Sequence, residues 1–383
     1  MTRVAFFTYE YPPHVEGGAG VYAARLVPEL VRLGLDVTVF TRRSPRRAGP
    51  GIRVRGISEP SWGAIGYWAA APLAYLREVH RRGPFDIIHG SGVADLSVVS
   101  RAGHPRRVVT IHHVAADVPS DGADLRKRLR SFRGEGGIVP TVERLVVKRA
   151  DHLIAVSNQT RAAIVRRFAV AESQVTVIHH GVDQPLRNPS GLDHEALGQR
   201  SGVLLLSVGR LEYRKGPDIL LRAVARLVLH GHDVRVILAG AGLKAEYEVL
   251  ANELGIADRV TITGWVDDAR KASLLQLCDI YVVPSRLEGF GMTALEAMAA
   301  GKPVVSTPIG ATEDGLVDES CGGLAEAANP EAVAAAIERC LQRLGQGEPL
   351  GDRNQARAAE LSWEQAGRST KEVYEYLLST AME

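Results

Sequence analysis

Short apolar, β-branched runs alternate with stretches of helical period along almost the whole chain, and the alternation runs through two consecutive series. VAFFTY (4–9), DVTVFT (36–41), FDIIHG (85–90), RVVTIHH (107–113), DHLIAVS (151–157) and QVTVIHHG (174–181) form the first set of expected strands, with an amphipathic helix over 21–34 ending at Gly34. Their apolar residues come in continuous runs rather than at every second position. A strand of that kind is buried on both faces, as in a parallel sheet covered by helices on each side. A second set opens with VLLLSVG (203–209) and a helix near 217–230, and continues with DVRVILAG (233–240), RVTITG (259–264), DIYVVPS (279–285) and KPVVST (302–307). Between them lies QPLRNPSGLDHEALGQRS (184–201), whose Pro, Gly and polar residues read as a linker. The pattern predicts an α/β chain of two doubly wound domains, 1–185 and 201–361, joined by 186–200. At 383 residues there is enough chain for two cores.

Charge is divided unevenly between the two series. Residues 1–183 hold 26 Lys and Arg against 16 Asp and Glu, and the remainder holds 20 against 28. The basic residues gather in TRRSPRR (41–47), HPRR (104–107) and LRKRLRSFR (125–133). A field of this sign concentrates polyanions, and a solvated face and a surface that meets anionic lipid both account for it. Zinc-finger, basic-zipper and aromatic RNA-binding signatures are missing beside these runs, so nucleic acid is not an expected partner. Segment 114–140 reads as a mobile excursion at the edge of the first sheet. Cys278, Cys321 and Cys340 lack CxxC or Cys/His spacing, which argues against disulfides and zinc. No apolar run approaches the roughly 20 residues of a bilayer span, and the first residues lead straight into a strand with no signal-peptide pattern. The expected setting is cytoplasmic, with peripheral contact at the inner face of the membrane as a further expectation from the basic half.

Ligands in doubly wound folds bind outside the carboxyl ends of the strands, and the chemically notable residues fall there. Gly17, Gly18 and Gly20 follow the first expected strand and precede a helix, where backbone N–H groups can meet an anion. They do not form GxGxxG, and no Walker loop is present. His112 and His113 close RVVTIHH, and His179 and His180 read as turn residues. Arg210 and Lys215 stand on SVGRLEYRKG, just before a helix whose N-terminus has no use for cations. As neutralisers of a bound diphosphate they make sense, Arg as a fork and Lys as a point charge. In SRLEGFGMTALEAMAAG, Glu288 precedes Gly289 and Gly291, and Glu296 falls one turn into the next helix if that helix starts near Met292. Two such carboxylates serve equally as general acid and base or as acceptors for sugar and ribose hydroxyls. The neighbouring cations favour hydroxyl binding beside a diphosphate.

With these motifs in order, the chain resembles the retaining glycosyltransferases of the GT-B type, family 4. The likeness rests on EYPPHVEGGAGVYAARLVPEL, VVTIHH, LIAVSNQTRAAI, VIHHGVD, SVGRLEYRKGPDILLRA, ITGWVDD and YVVPSRLEGFGMTALEAMAAGKPVV. The resemblance implies two Rossmann-like domains facing a cleft, with a helix over 362–383 crossing back to the first. It implies Gly18, Arg210 and Lys215 at the donor diphosphate, and Glu296 at the ribose. Glu288, with the amides of Phe290, Gly291 and Met292, falls to the transferred sugar, Val266 to the base, and His112 beside the reacting sugar. A hexosyl group would pass from a nucleotide-diphosphate sugar to an acceptor hydroxyl, a lipid-linked acceptor being one expectation. UDP-sugars come first and GDP-mannose second. No DxD motif is present, and the resemblance implies no cofactor and no metal. HHGVD stands where the family shows NGVD, so a role for that Asn does not carry over. A sugar-nucleotide 2-epimerase and a non-catalytic nucleotide-sugar-binding scaffold are the rival readings.

Overall fold

The computed structural model describes residues 1–15, 17–42, 49–57, 64–95, 104–118, 139–183 and 202–380. The linker expected over 186–200, most of the excursion over 114–140, and most of the basic runs 41–47 and 125–133 lie outside them. Among the described residues, contacts divide the chain in two. One unit runs from Met1 to Asp117 and from 139 to Gly181, and takes back the chain from Ser362; the other is Val182–Leu361 together with Val118.

The first unit is built on a parallel sheet of β1 (Arg3–Phe7), β2 (Asp36–Thr41), β3 (Arg53–Gly56), β4 (Ile87–Ser91), β5 (Arg106–Ile111), β6 (His152–Ala155) and β7 (Val175–Val177), in the order β3-β2-β1-β4-β5-β6-β7. Strand order reverses between β1 and β4, so loops leaving these two strands diverge and open a crevice at their carboxyl ends. The helix Gly18–Arg32 follows β1 and buries Tyr22, Ala23, Leu26, Val27 and Leu30 at helical spacing. Its end is set at Leu33, before Gly34 with φ +87°. Aromatic rings fill the space on the β2 side of the sheet, with Phe7 stacked on Phe40 at 4.6 Å between centroids. The helix Trp363–Ser379 is capped by Ser362 Oγ, which accepts from Gln365 N at 3.1 Å. It packs on the helix Gly18–Arg32 and against β5, and Lys371 Nζ donates to Leu33 O at 3.3 Å.

The second unit has the same logic in six parallel strands. These are β8 (Val203–Val208), β9 (Val234–Ala239), β10 (Val260–Gly264), β11 (Ile280–Val283), β12 (Val304–Ser306) and β13 (Gly322–Leu324), ordered β10-β9-β8-β11-β12-β13. Here the order reverses between β8 and β11. The helix Pro217–Leu229 buries Ile219, Leu220, Ala223, Val224 and Leu227 over one face of the sheet. Each leucine fully removed from water there contributes about 2 kcal/mol. No helix among the described residues is long and apolar enough to cross a membrane. The three cysteines are free and buried.

Several strands are shorter than their apolar runs. The strand expected over 4–9 ends at Phe7, and β5 ends at Ile111, where its pairing with Ala155 stops. His112 and His113 therefore follow the strand rather than close it. The run 279–285 leaves the sheet at Val283, before Pro284, which has no N–H to offer a ladder.

Candidate active site

In the second unit, the two loops that leave the sheet at its reversal point carry the Arg–Lys and Glu motifs. The loop after β8 runs through Gly209 and Arg210 into a single turn, Tyr213–Lys215, and then into the helix beginning at Pro217. Between them Gly216 takes φ +68°, and a Cβ there would lie 2.0 Å from Pro284 O. A side chain at 216 would push the two loops apart.

Side chains then tie the loops together. Arg286 N donates to Arg214 O at 2.8 Å, and Arg214 Nη1 returns a bond to Leu287 O at 3.1 Å. Arg286 grips Asp218 through two bonds of 2.8 and 2.6 Å, donates to Tyr213 O at 2.7 Å, and lies 3.7 Å over the Tyr213 ring. Bidentate geometry of this kind holds position as well as charge.

Glu288 sits at the meeting point, 8% exposed. Its Oε1 accepts from Lys215 Nζ in a short contact and from Ser285 Oγ at 2.9 Å, and Arg214 Nη1 lies 3.7 Å from Oε2. Burial alone would raise this carboxyl, but the Lys215 ammonium and then the Arg214 guanidinium outweigh it and hold it below the usual glutamate range. Arg210 is half exposed, 3.4 Å from Glu212. Gly209, Arg210, Lys215, Ser285, Glu288 and Thr293 line a recess of about 330 Å³, counting the part open to solvent.

The glycine-rich turn leads directly into the helix Met292–Ala299. Gly291 caps it at φ +92°, and a Cβ there would come within 2.5 Å of Ile309 Cδ1. Phe290 is buried beside it. Glu296 therefore stands one turn into the helix, half-buried, with Lys271 Nζ 3.1 Å from its Oε2. Burial pushes the Glu296 carboxyl above its ordinary range, against the pull of Lys271. Tyr281, on β11, bonds through its hydroxyl to the backbone N and O of Val208, each at 3.2 Å. Val266 is half-buried in the turn between β10 and the helix Asp268–Leu277.

In the first unit, Gly18 is exposed as the first residue of its helix, and Gly17 N donates to Glu10 Oε2 at 2.8 Å. His112, just past β5, meets Ser91 Oγ through Nε2 at 2.9 Å. Beneath it runs a buried chain of hydrogen bonds. Tyr374 OH meets His89 Nδ1 at 2.5 Å, His89 Nε2 meets Thr110 Oγ1 at 2.8 Å, and Thr110 Oγ1 meets Tyr22 OH at 2.9 Å. The Tyr22 ring stands edge-on to His112 at 4.9 Å and near His180 at 5.0 Å, and His180 stacks on Trp363 at 5.7 Å. Burial drives both His89 and His112 down to about 3, so these rings are neutral at ordinary pH. His112 can exchange hydrogen bonds there as a neutral ring.

Two family models cover the chain: glycosyltransferase family 4 matches residues 16–184, and glycosyl transferases group 1 matches residues 193–354. D-inositol 3-phosphate glycosyltransferase 2 of Catenulispora acidiphila is 30% identical across 94% of this chain and 90% of its own. The chain belongs to the group 1 glycosyl transferases. Among solved structures, this glycosyltransferase is similar to sucrose-phosphate synthase from Thermosynechococcus elongatus, with a TM-score of 0.79 and 23% identity, covering 99% of this chain and 100% of that one. An Anabaena protein solved in complex with UDP and glucose gives 0.74 and 21%, covering 98% and 100%. The fold is GT-B.

For this glycosyltransferase the structure joins Lys215 to Glu288 directly, where the sequence reading gave them separate ligands. It also supplies residues that reading missed. Arg214 and Arg286 sit inside the two motifs, and three cations within RLEYRK were a visible signal. Lys271 lay in the DDARK run with nothing to pair it with Glu296. Tyr374 carries no local signal at all. Its hydroxyl is a clear target: Tyr374→Phe deletes one atom and leaves a buried His89 nitrogen without its partner. A loss of about 1–3 kcal/mol in the stability of the glycosyltransferase is expected from chemical denaturation. An unchanged midpoint would mean the contact is idle.

Proposed function

We propose that this enzyme transfers a hexosyl group from a nucleotide-diphosphate sugar to an acceptor hydroxyl with retention of configuration. The single observation that carries the reading is the switch-point constellation in which Lys215 and Arg210 line one recess with Glu288. Cations there suit a diphosphate, and a carboxylate held ionised suits sugar hydroxyls. UDP-sugars are placed first and GDP-mannose second, which the UDP and glucose in a structural neighbour support.

In this reading the bond between the anomeric carbon and the phosphate oxygen breaks with its electron pair leaving on the nucleoside diphosphate. Arg210 and Lys215 neutralise the charge that builds up there, doing without a metal ion. Lys215 has three protons, so it can keep Glu288 and still reach phosphate oxygens. The acceptor oxygen attacks on the face that the leaving group vacates, and its proton passes to the departing phosphate oxygen. Glu288 and the backbone amides of Phe290, Gly291 and Met292 hold the transferred sugar. Glu296 takes the ribose, the turn at Val266 the base, Gly18 N–H the diphosphate, and neutral His112 a sugar hydroxyl. Positioning and charge stabilisation supply the rate, with no covalent nucleophile.

Calorimetric titration of metal-free protein with UDP, GDP and ADP, and then with their sugar conjugates, tests this reading. One nucleotide is expected to bind preferentially, and Arg210→Ala to weaken it by about tenfold or more. Arg210 is exposed enough for that variant to keep its fold. Binding of none of the three overturns the proposal and returns the recess to a structural role.

A further inference from the structure

Glu296 is not held by its own helix. Lys271, on the helix Asp268–Leu277, brings Nζ to 3.1 Å from Glu296 Oε2 and 3.4 Å from Asp268 Oδ1. Asp268 is 85% exposed, so its contact is a solvated surface pair of little consequence. The side chains of Lys271 and Glu296 are only 25% and 19% exposed, and this is the shielded contact. Among the described residues, Asp183, Asp268 and the Tyr281 hydroxyl also act on Glu296, and none of these three supplies a positive charge. Among the groups that act on this carboxyl, Lys271 is the cation. Burial works against the ammonium, and the two carboxylates more than restore it.

The element that carries Lys271 begins at the turn of Val266. Asp267 caps it, its Oδ1 accepting from Arg270 N at 2.7 Å. Lys271 is the fourth residue of the helix, so it reaches from the base-side turn to the carboxylate on the neighbouring helix. An ammonium fixed on Oε2 sets the rotation of the carboxylate and leaves Oε1 and the remaining lone pairs facing elsewhere. Vicinal hydroxyls need such an acceptor, because two O–H groups on adjacent carbons reach a carboxylate together only when its plane is held.

We propose that Lys271 is a positioning residue that orients Glu296 for the ribose hydroxyls of the donor nucleotide. The inference rests on the reading of Glu296 given above and adds to it the residue on which hydroxyl discrimination depends. Selectivity for ribose over deoxyribose is the property that Lys271 controls. General nucleotide affinity, set by Arg210 and Lys215, is not.

The test is titration of wild type, Lys271→Met and Lys271→Arg with UDP, GDP and ADP, each beside its 2′-deoxy counterpart. Wild type is expected to favour the ribonucleotide by about tenfold. Lys271→Met is expected to lose most of that ratio while binding the deoxynucleotide nearly as wild type does, which also certifies its fold. Lys271→Arg is expected to keep most of the ratio. A Lys271→Met protein with the wild-type ratio overturns the proposal, whether or not both affinities have dropped together. Wild type that binds none of the three overturns the reading of the whole site, and the role of Lys271 falls with it.

Discussion

Lys215→Ala is expected to lower kcat/KM on the order of a thousandfold, the usual loss when a preorganised group facing developing charge is removed. The same change strands Glu288. In the intact protein this carboxyl is depressed, so it stabilises the fold above its unfolded value and loses that contribution as pH falls through its folded one. Without Lys215, burial becomes the larger influence and the carboxyl moves upward; among the described residues Arg214 at 3.7 Å and the Ser285 hydroxyl remain beside it. The variant should then melt below wild type at pH 7, with the gap narrowing toward pH 5 as Glu288 takes up a proton. Lys215→Ala with Glu288→Gln should recover stability but not turnover. Steady-state kinetics and melting curves across that range separate the two effects. Turnover within tenfold of wild type in Lys215→Ala would remove the lysine from the chemistry.

Glu288→Ala should act in the opposite direction on binding. Turnover is expected to drop on the order of a hundredfold, because a hydroxyl acceptor is lost at the transferred sugar. Affinity for the free nucleoside diphosphate should hold or tighten, since Lys215, which lines the recess, is released from its carboxylate, while Arg214 stays on Glu212 and the Leu287 carbonyl. Titration of the variant with UDP, GDP and ADP beside turnover assays checks this. Parallel losses in both would mean that Glu288 supports the recess rather than the sugar.

The sequence made the architecture legible wherever burial on both faces wrote a continuous apolar run. It was silent at β3 and β13, which end the two sheets: RVRG alternates charge with one valine, and GGL has almost no side chain to read. Edge strands pair on one side only, so they need less apolar surface and advertise less. In the site, Arg210, Lys215, Glu288 and Glu296 were visible because each pair lies within one short stretch of chain. Their partners were hidden by distance. Lys271 lies 25 positions before Glu296, and Tyr374 meets His89 across 285 positions. Local pattern reports what an element is, and only folding reports which side chains from different elements meet.

The return of the chain from Leu361 into the first unit has a consequence for how the protein is made. Val182 N bonds to Leu361 O at 3.1 Å, so the main segment of the second unit leaves and rejoins at one place, and among the described residues only Val118 of that unit comes earlier in the chain. On the ribosome it can finish as soon as Leu361 has emerged. The first unit, although it starts the chain, cannot. Until Trp363–Ser379 is synthesised, Tyr374 does not exist to meet His89, and Tyr22 lacks the Trp363 ring that lies 6.3 Å from its own. The half begun first is completed last, and a nascent chain cut short before residue 363 would carry the entire recess of Arg210, Lys215 and Glu288 while the first unit still lacks the partners of His89 and His180.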